Sequence, residues 1–305
     1  MNDGKRYTTL NLELKKIFNG KTIKLSLDGG FSCPNRDGSI HDKGCIFCGE
    51  RGSGEFTRQD LEISFQANKQ IEILSKKWDT DKYIAYFQSF TNTYDSVENL
   101  EIIYNQALAI PGVVGLAIAT RPDCLSKDIL DYLDLLNKKT FLWVELGLQT
   151  IHEKTADLIR RGYTLDVYDN AVSELKKRGI RVVTHAIIGL PYEEKGDILE
   201  TCAYISSKNL WGIKLHSLYI QRDTDLYNFY LNKPFKIFTK EEYVDIITEI
   251  IRILPRDLVI HRLTGDGDKS LLFKPEWSKN KLGVISSIDK ALKEKNIYQG
   301  DKLKL

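Results

Sequence analysis

The chain reads as an α/β protein whose repeated βα units curl into a partial (β/α)6 TIM-like barrel followed by a C-terminal extension. Three observations lead there. Short runs rich in Val, Ile and aromatic residues alternate with longer stretches of helical periodicity. Runs such as Val113–Ala119 are apolar almost throughout, as strands are when helices cover a parallel sheet. The competing doubly wound sheet lacks its mark, because Asp28-Gly-Gly-Phe-Ser-Cys33 stands where a Gly-x-Gly-x-x-Gly would follow the first strand.

In chain order the predicted strands are Thr22–Asp28, Tyr83–Ser89, Val113–Thr120, Phe141–Gln149, Arg181–Leu190 and Gly212–Ile220, with Leu258–Leu263 as a seventh candidate. The predicted helices are Leu61–Trp78, Val97–Ala109, Lys127–Lys138, Glu153–Arg160, Leu165–Arg178, Lys195–Lys208 and Glu241–Leu254. Thr239-Lys-Glu-Glu242 has the form of a capping box, and Gly179 follows its helix as a C-terminal cap glycine. No linker, repeat or low-complexity segment interrupts the pattern. The simplest division is a core barrel over residues 1–255, including an N-terminal extension, and an extension over 256–305 that closes the barrel.

Composition narrows the class. At 305 residues, 42% hydrophobic and 10% aromatic, the chain can bury a large core and is not a disordered one. No run of ~18 apolar residues is present and the first twenty residues lack a signal-peptide core, so the expected location is cytoplasmic, with no membrane partner. Five cysteines, an odd number without an export signal, favour thiol or metal chemistry over a disulfide framework. Cys124 and Cys202 read as small buried hydrophobes. The net charge of +2 demands no polyanion. Lysines do cluster in an N-terminal segment (Lys5, Arg6, Lys15, Lys16, Lys21, Lys24) and a tail (Lys290, Lys293, Lys295, Lys302, Lys304), the plainest reading of both being solvated helix faces.

The remaining three cysteines, Cys33, Cys45 and Cys48, lie in one loop directly after the first strand. With His41 they could form a Cys3His zinc site, and Cys45-Ile-Phe-Cys48 alone could be a redox pair. An iron-sulfur cubane usually takes four Cys ligands, so a three-Cys loop holding one would leave an iron without a protein ligand. In a βα barrel the chemistry lies in the loops after the strands' C-terminal ends. Cys33, Gln88-Ser89 with Asn92, Thr120-Arg121, Glu145 with Gly147 and Gln149, His185 with Gly189-Leu-Pro191, and His216 with Tyr219 and Gln221 all fall there.

Six segments together carry a resemblance: Cys33-Pro-Asn-Arg-Asp-Gly38, Gly44-Cys-Ile-Phe-Cys48, Ala119-Thr-Arg-Pro-Asp123, Glu145-Leu-Gly-Leu-Gln149, Ile188-Gly-Leu-Pro191 and His261-Arg-Leu-Thr-Gly-Asp266. Over nearly its whole length the chain resembles the radical S-adenosylmethionine (SAM) superfamily, in the subgroup containing the catalytic subunit of Elongator and the bacterial YhcC/YtqA-type proteins. The resemblance implies that Cys33, Cys45 and Cys48 hold a [4Fe-4S] cluster whose fourth iron binds SAM. An electron donor such as a flavodoxin or ferredoxin would drive reductive cleavage of SAM to a 5′-deoxyadenosyl radical.

It also implies that Phe47 lies beside the adenine, and that Gln88 and Ser89 replace the usual Gly-Gly-Glu-like turn contacting the methionine amine. Glu145 and Gln149 share one face of their strand. Glu145 is expected to hydrogen-bond the cofactor's ribose or amine, or to pair with Arg121, while Gly189 and Pro191 bring backbone to the adenine. Tyr219 and Arg222 are expected at the substrate, and His261, Arg262, Thr264 and Asp266 either bind substrate or close the barrel. His152 and His185 read as structural. The substrate implied by the subgroup is the C5 side chain of the wobble uridine in tRNA. Only about forty residues follow the last strand, too few for an acetyltransferase domain, and no second cluster-binding Cys set exists for sulfur insertion. The alternatives are radical chemistry on a small metabolite or peptide, and a non-catalytic zinc-stabilised RNA-binding module.

Overall fold

The computed structural model describes residues 4–50, 52, 62–265 and 267–303, so Leu61, Asp266 and Lys304 lie outside the described residues. The strands are β1 (Ile23–Leu27), β2 (Tyr83–Phe87), β3 (Val113–Thr120), β4 (Phe141–Gln149), β5 (Arg181–Ile188), β6 (Gly212–Ser217), β7 (Ile220–Gln221), β8 (Val259–Arg262) and β9 (Leu272–Lys274). The helices are α1 (Leu10–Phe18), α2 (Ile63–Ser75), α3 (Val97–Leu108), α4 (Lys127–Lys139), α5 (Glu153–Leu158), α6 (Leu165–Lys177), α7 (Lys195–Ser207), α8 (Asp225–Asn232), α9 (Lys240–Ile253) and α10 (Lys281–Glu294).

Seven strands form one parallel sheet in the order β1-β2-β3-β4-β5-β6-β8, curled into a half-barrel with helices outside. Six of them follow the expected βα series. The seventh, β8, lies in the expected extension and pairs in parallel with β6, Lys214 opposite Arg262. β7 and β9 form a separate antiparallel ribbon beyond the end of β6.

Local signals set the helix ends. Thr239 caps α9 by accepting from the Glu242 amide, and the Glu242 carboxylate accepts from the Thr239 amide in return. Gly179, at φ +66°, ends α6: its amide donates to Lys176 O and the Ile180 amide to Leu175 O, a Schellman arrangement.

Apolar side chains occupy both faces of the sheet. The larger cluster lies between the strands and the outer helices, with Leu116, Leu142, Leu215, Leu133, Leu175 and Ile250 fully or almost fully buried. A second cluster fills the starting end of the lumen, where Ile84, Ala117, Trp143, Val183 and Val259 meet Leu10 and Leu14 of α1. Leu10 and Leu14 stand one turn apart on α1, so both point to the lumen. Phe18 adds an edge-to-face contact with Phe141, ring centroids 5.3 Å apart. α1 thereby closes the barrel end opposite the loops that carry the cysteines.

Candidate active site

The loop after β1 brings Cys33, Cys45 and Cys48 to one cavity of about 350 Å³ at the C-terminal end of the strands. Backbone and side-chain bonds hold that loop. Cys33 O accepts from the Arg36 and Asp37 amides at 2.8 and 3.1 Å, which turns the chain back. The Arg36 guanidinium donates to the carbonyls of Cys48 and Gly49. Asn35, almost fully buried, donates through Nδ2 to Arg160 O at 2.6 Å and to Cys45 Sγ at 3.4 Å. Gly44 sits at φ +75°, where a Cβ would stand 2.9 Å from Arg36 Nε, so only glycine fits without displacing the arginine. Ile46 donates to Ile159 O, and its own carbonyl accepts from the Leu226 amide of α8 at 2.7 Å. Burial pushes the Cys45 thiol pKa up, against the opposing pull of Arg121 and of the Asn35 amide.

The sulfur spacing discriminates between metal centres. Tetrahedral zinc, with Zn–S bonds of ~2.3 Å, places its sulfurs about 3.8 Å apart. Cys33, Cys45 and Cys48 do not gather that closely: among the described residues, the His/Cys/Asp/Glu group whose ligand atoms all lie within 4.8 Å of one another is His152, Asp197 and Glu200. His41 faces Asp42 at 3.1 Å, accepts from the Lys43 amide and does not line the cavity. The three thiols thus lie outside the mutual spacing of a single tetrahedral zinc, and as three sulfurs lining one cavity they are a donor set that could hold an iron-sulfur cluster.

Beneath the thiols the cavity runs into the barrel lumen, lined by Lys24, Tyr86, Glu145, His185, His216 and Arg262. Glu145 is fully buried and saturated with donors: Trp143 Nε1 to Oε1 at 2.8 Å, and Tyr86 OH at 3.0 Å, His185 Nε2 at 2.8 Å and Lys214 Nζ, all to Oε2. Lys214 also donates to the Tyr86 hydroxyl at 2.6 Å. Burial acts to raise the Glu145 pKa, but Lys214 and the His185 hydrogen bond outweigh it and hold the carboxyl well below its usual range. An ionised carboxylate only accepts, so His185 carries its proton on Nε2. Burial lowers the His185 pKa to about 4, leaving a neutral ring. Lys24, placed over the Tyr86 ring at 4.5 Å, is lowered to about 8 by burial, against the pull of Glu145 and with help from Arg262. Burial also lowers the Lys214 pKa, against the pull of Glu145, so beyond that pair Lys24 and Arg262 are the cations that face the lumen. The lumen floor carries surplus positive charge and favours an anionic or strongly accepting group.

With this geometry in place, the comparisons with known proteins are decisive. The radical SAM superfamily matches residues 37–205, and the radical SAM C-terminal domain matches residues 210–294. The Bacillus subtilis protein YtqA is 44% identical over 302 residues, 98% of this chain and 93% of that one. The chain belongs to the radical SAM superfamily. Escherichia coli YhcC is 33% identical over 95% of this chain and 93% of its own length. Elongator complex protein 3 of Schizosaccharomyces pombe is 30% identical over 50% of this chain and 28% of its own. In fold, the protein is similar to the archaeal Elp3 of Methanocaldococcus infernus, with a TM-score of 0.70 and 18% identity over 91% of this chain and 64% of that one.

As a radical SAM enzyme the protein uses a [4Fe-4S] cluster and SAM, and needs a reductant. No helix among the described residues is long and apolar enough to cross a membrane. Of the residues singled out in the sequence, Phe47, Gln88, Arg121, Glu145, Gln149, Tyr219 and Arg262 line the cavity with the three cysteines. Ser89, Gly189, Pro191, Arg222 and His261 do not. Gly189 packs toward Phe238 and Leu218. The His261 ring is fully buried, edge-on to Trp211 at 4.9 Å and Trp143 at 5.8 Å, as part of the lumen wall. Arg121 pairs with Asp123 through two hydrogen bonds, at 2.9 and 2.7 Å, and Glu145 takes Lys214 and His185 as its charged and polar partners in place of Arg121. Lys214 and Asn35 are functional-site residues that sequence reasoning passed over. The signal for Lys214 was a lone lysine inside the apolar run Gly212-Ile-Lys-Leu; for Asn35, a position between two cysteine-loop residues, there was none beyond the motif itself.

Proposed function

We propose that this radical SAM enzyme acts on RNA, at the C5 side chain of the wobble uridine in tRNA. The observation that carries the reading is the single cavity joining the cysteine wall to the charged lumen floor. Cys33, Cys45 and Cys48 would hold the cluster. When bound, the cluster and SAM supply a 5′-deoxyadenosyl radical that removes a hydrogen atom from a neighbouring carbon.

The chain's own residues do the rest. Phe47 and Gln149 flank the cysteines and would bound the cofactor, with Gln88 offering polar contacts from the end of β2. Gly147, where a Cβ would lie 2.6 Å from the Gln149 amide, lets a ligand approach β4 closely. Tyr219 borders the mouth, and Lys24 and Arg262 would receive a polar or anionic substituent pointing inward. RNA as substrate follows from the resemblance to the Elongator-containing subgroup, and the similarity to Elongator complex protein 3 over half the chain agrees with that grouping. The same floor would accept a small acidic metabolite, which is the second reading.

The deciding experiment uses anaerobically reconstituted protein, SAM and dithionite, with and without tRNA lacking the modified side chain. About four irons per chain and tRNA-stimulated release of 5′-deoxyadenosine are expected. Release indifferent to tRNA would move the substrate to the small-molecule class.

A further inference from the structure

We propose that the β7–β9 ribbon and α8 form a docking platform for unpaired nucleotides of the RNA, placed at the rim of the cavity. The inference rests on the reading of the substrate as RNA and adds where that RNA is held.

Position comes first. Tyr219 lines the cavity, and three residues later Arg222 emerges from the ribbon, its amide donating to Leu271 O at 2.9 Å. Leu226, Tyr227, Tyr230 and Phe273 share a small apolar core with Ile46 and Phe47 of the cysteine loop. The Leu226 amide donates directly to Ile46 O. The platform and the cysteine loop are therefore one packed unit, and a nucleotide fixed on the first is placed in register with the second.

Chemistry follows. The Arg222 guanidinium lies over Phe273 at 5.1 Å and Tyr227 at 5.8 Å. The Lys274 ammonium lies 5.0 Å from the Tyr230 ring and donates to its hydroxyl at 3.1 Å. Neither cation makes an ion pair with a carboxylate among the described residues. Asp223, next in sequence to Arg222, lies against Gly49, and Asp225 pairs with Arg160. Cations held over aromatic rings, without a carboxylate partner among the described residues, suit the stacked bases and phosphates of a single strand.

The basic groups of the two termini offer a contrast. Lys5, Arg6, Lys290 and Lys293 converge on one groove, although some 280 residues separate them in sequence. Yet Lys5 pairs with Asp289, and the segment bonds to the residues just before β8, where strands begin. That groove is at the far end from the cavity mouth.

The test is tRNA binding by the reconstituted holoenzyme, followed by fluorescence anisotropy from about 50 to about 200 mM KCl. Arg222→Glu combined with Lys274→Glu is expected to weaken binding roughly tenfold or more and to lower the salt slope by about two. Lys290→Glu with Lys293→Glu, the same charge change at the far end, is expected to stay within about twofold. Melting temperature and bound iron report folding, and Arg222→Gln with Lys274→Gln replaces the reversal pair if that fails to fold. Unchanged affinity in the platform variants, or equal loss in both pairs, overturns the platform. Absence of salt-sensitive tRNA binding by the wild type overturns the RNA reading itself, before any variant is made.

Discussion

Lys214 crosses the lumen from β6 to bond the Glu145 carboxylate on β4, with side-chain exposures of 1% and 0%. A buried pair of this kind is costly to break from one side, because the remaining charge loses its partner in a low-dielectric interior. Glu145→Ala is expected to destabilise the fold by ~3–5 kcal/mol, since Lys214 and three neutral donors then lose their acceptor. Lys214→Met leaves Glu145 its bonds from Trp143, Tyr86 and His185 and should cost less, about 1–3 kcal/mol. Urea midpoints of the two variants measure the difference. Equal losses would show that the ion pair alone, and not the full donor set, holds the carboxylate.

His185 gives the lumen a pH signature. Burial lowers its folded pKa to about 4 from the ordinary 6.5. Between those values the unfolded chain binds a proton that the folded one does not, so stability falls as the pH drops through that window. The full shift corresponds to roughly 3 kcal/mol. Denaturation series from pH 7 to pH 4 should show this slope in the wild type and a shallower one in His185→Gln. An unaltered slope would assign the effect to other groups.

Cys45→Ala is expected to abolish iron retention and 5′-deoxyadenosine release while leaving the melting temperature nearly unchanged, because Cys45 belongs to a loop and not to the apolar core. Retained SAM cleavage would refute its assignment as a ligand. Asn35→Ala is the finer test. Its amide donates to Cys45 Sγ, and such a donor stabilises the more negative, reduced form of a cluster. Loss of the amide should shift the cluster potential downward in a spectroscopic redox titration at unchanged iron content. An unshifted potential would leave Asn35 with its bond to Arg160 O as its sole role.

Arg262→Ala and Lys24→Ala should each lower kcat/KM for the modified substrate about ten- to a hundredfold, the range of one hydrogen bond to a charged group. Product analysis under saturating SAM measures this. Loss of bound iron in either variant would indicate instead that the cation supports the barrel.

The barrel was readable because its strands are apolar on both faces and its helices carry their own caps; Thr239 with Glu242, and Gly179, mark ends that the structure reproduces. α1 was missed. Only Leu10 and Leu14 of its nine residues are buried, and surrounding lysines hide so short a stripe. The cysteines announced the cavity, but not what lies under it. Lys24 counted as one more member of a basic N-terminal cluster, whereas it points inward, and the direction of a single side chain depends on sheet curvature that no local pattern records. The same holds for His261 and Arg262. They are neighbours in one motif that strict alternation would send to opposite faces; a register irregularity beside Lys214, where β8 pairs with β6, lets the His261 ring pack on Trp143 and Trp211 in the lumen wall while Arg262 still lines the cavity. Glu145 was legible as an inward carboxylate, while its true partner lay sixty-nine residues away on another strand.

The plug formed by Leu10, Leu14 and Trp143 has a kinetic consequence. With its foot sealed, the shaft is reached from the end that carries the cysteines, so whatever occupies the Lys24–Arg262 level arrives before the space above it is filled. It must also depart after that space is cleared. Occupancy of the upper level then holds the deeper group against escape, and turnover runs as a stack: last to enter, first to leave.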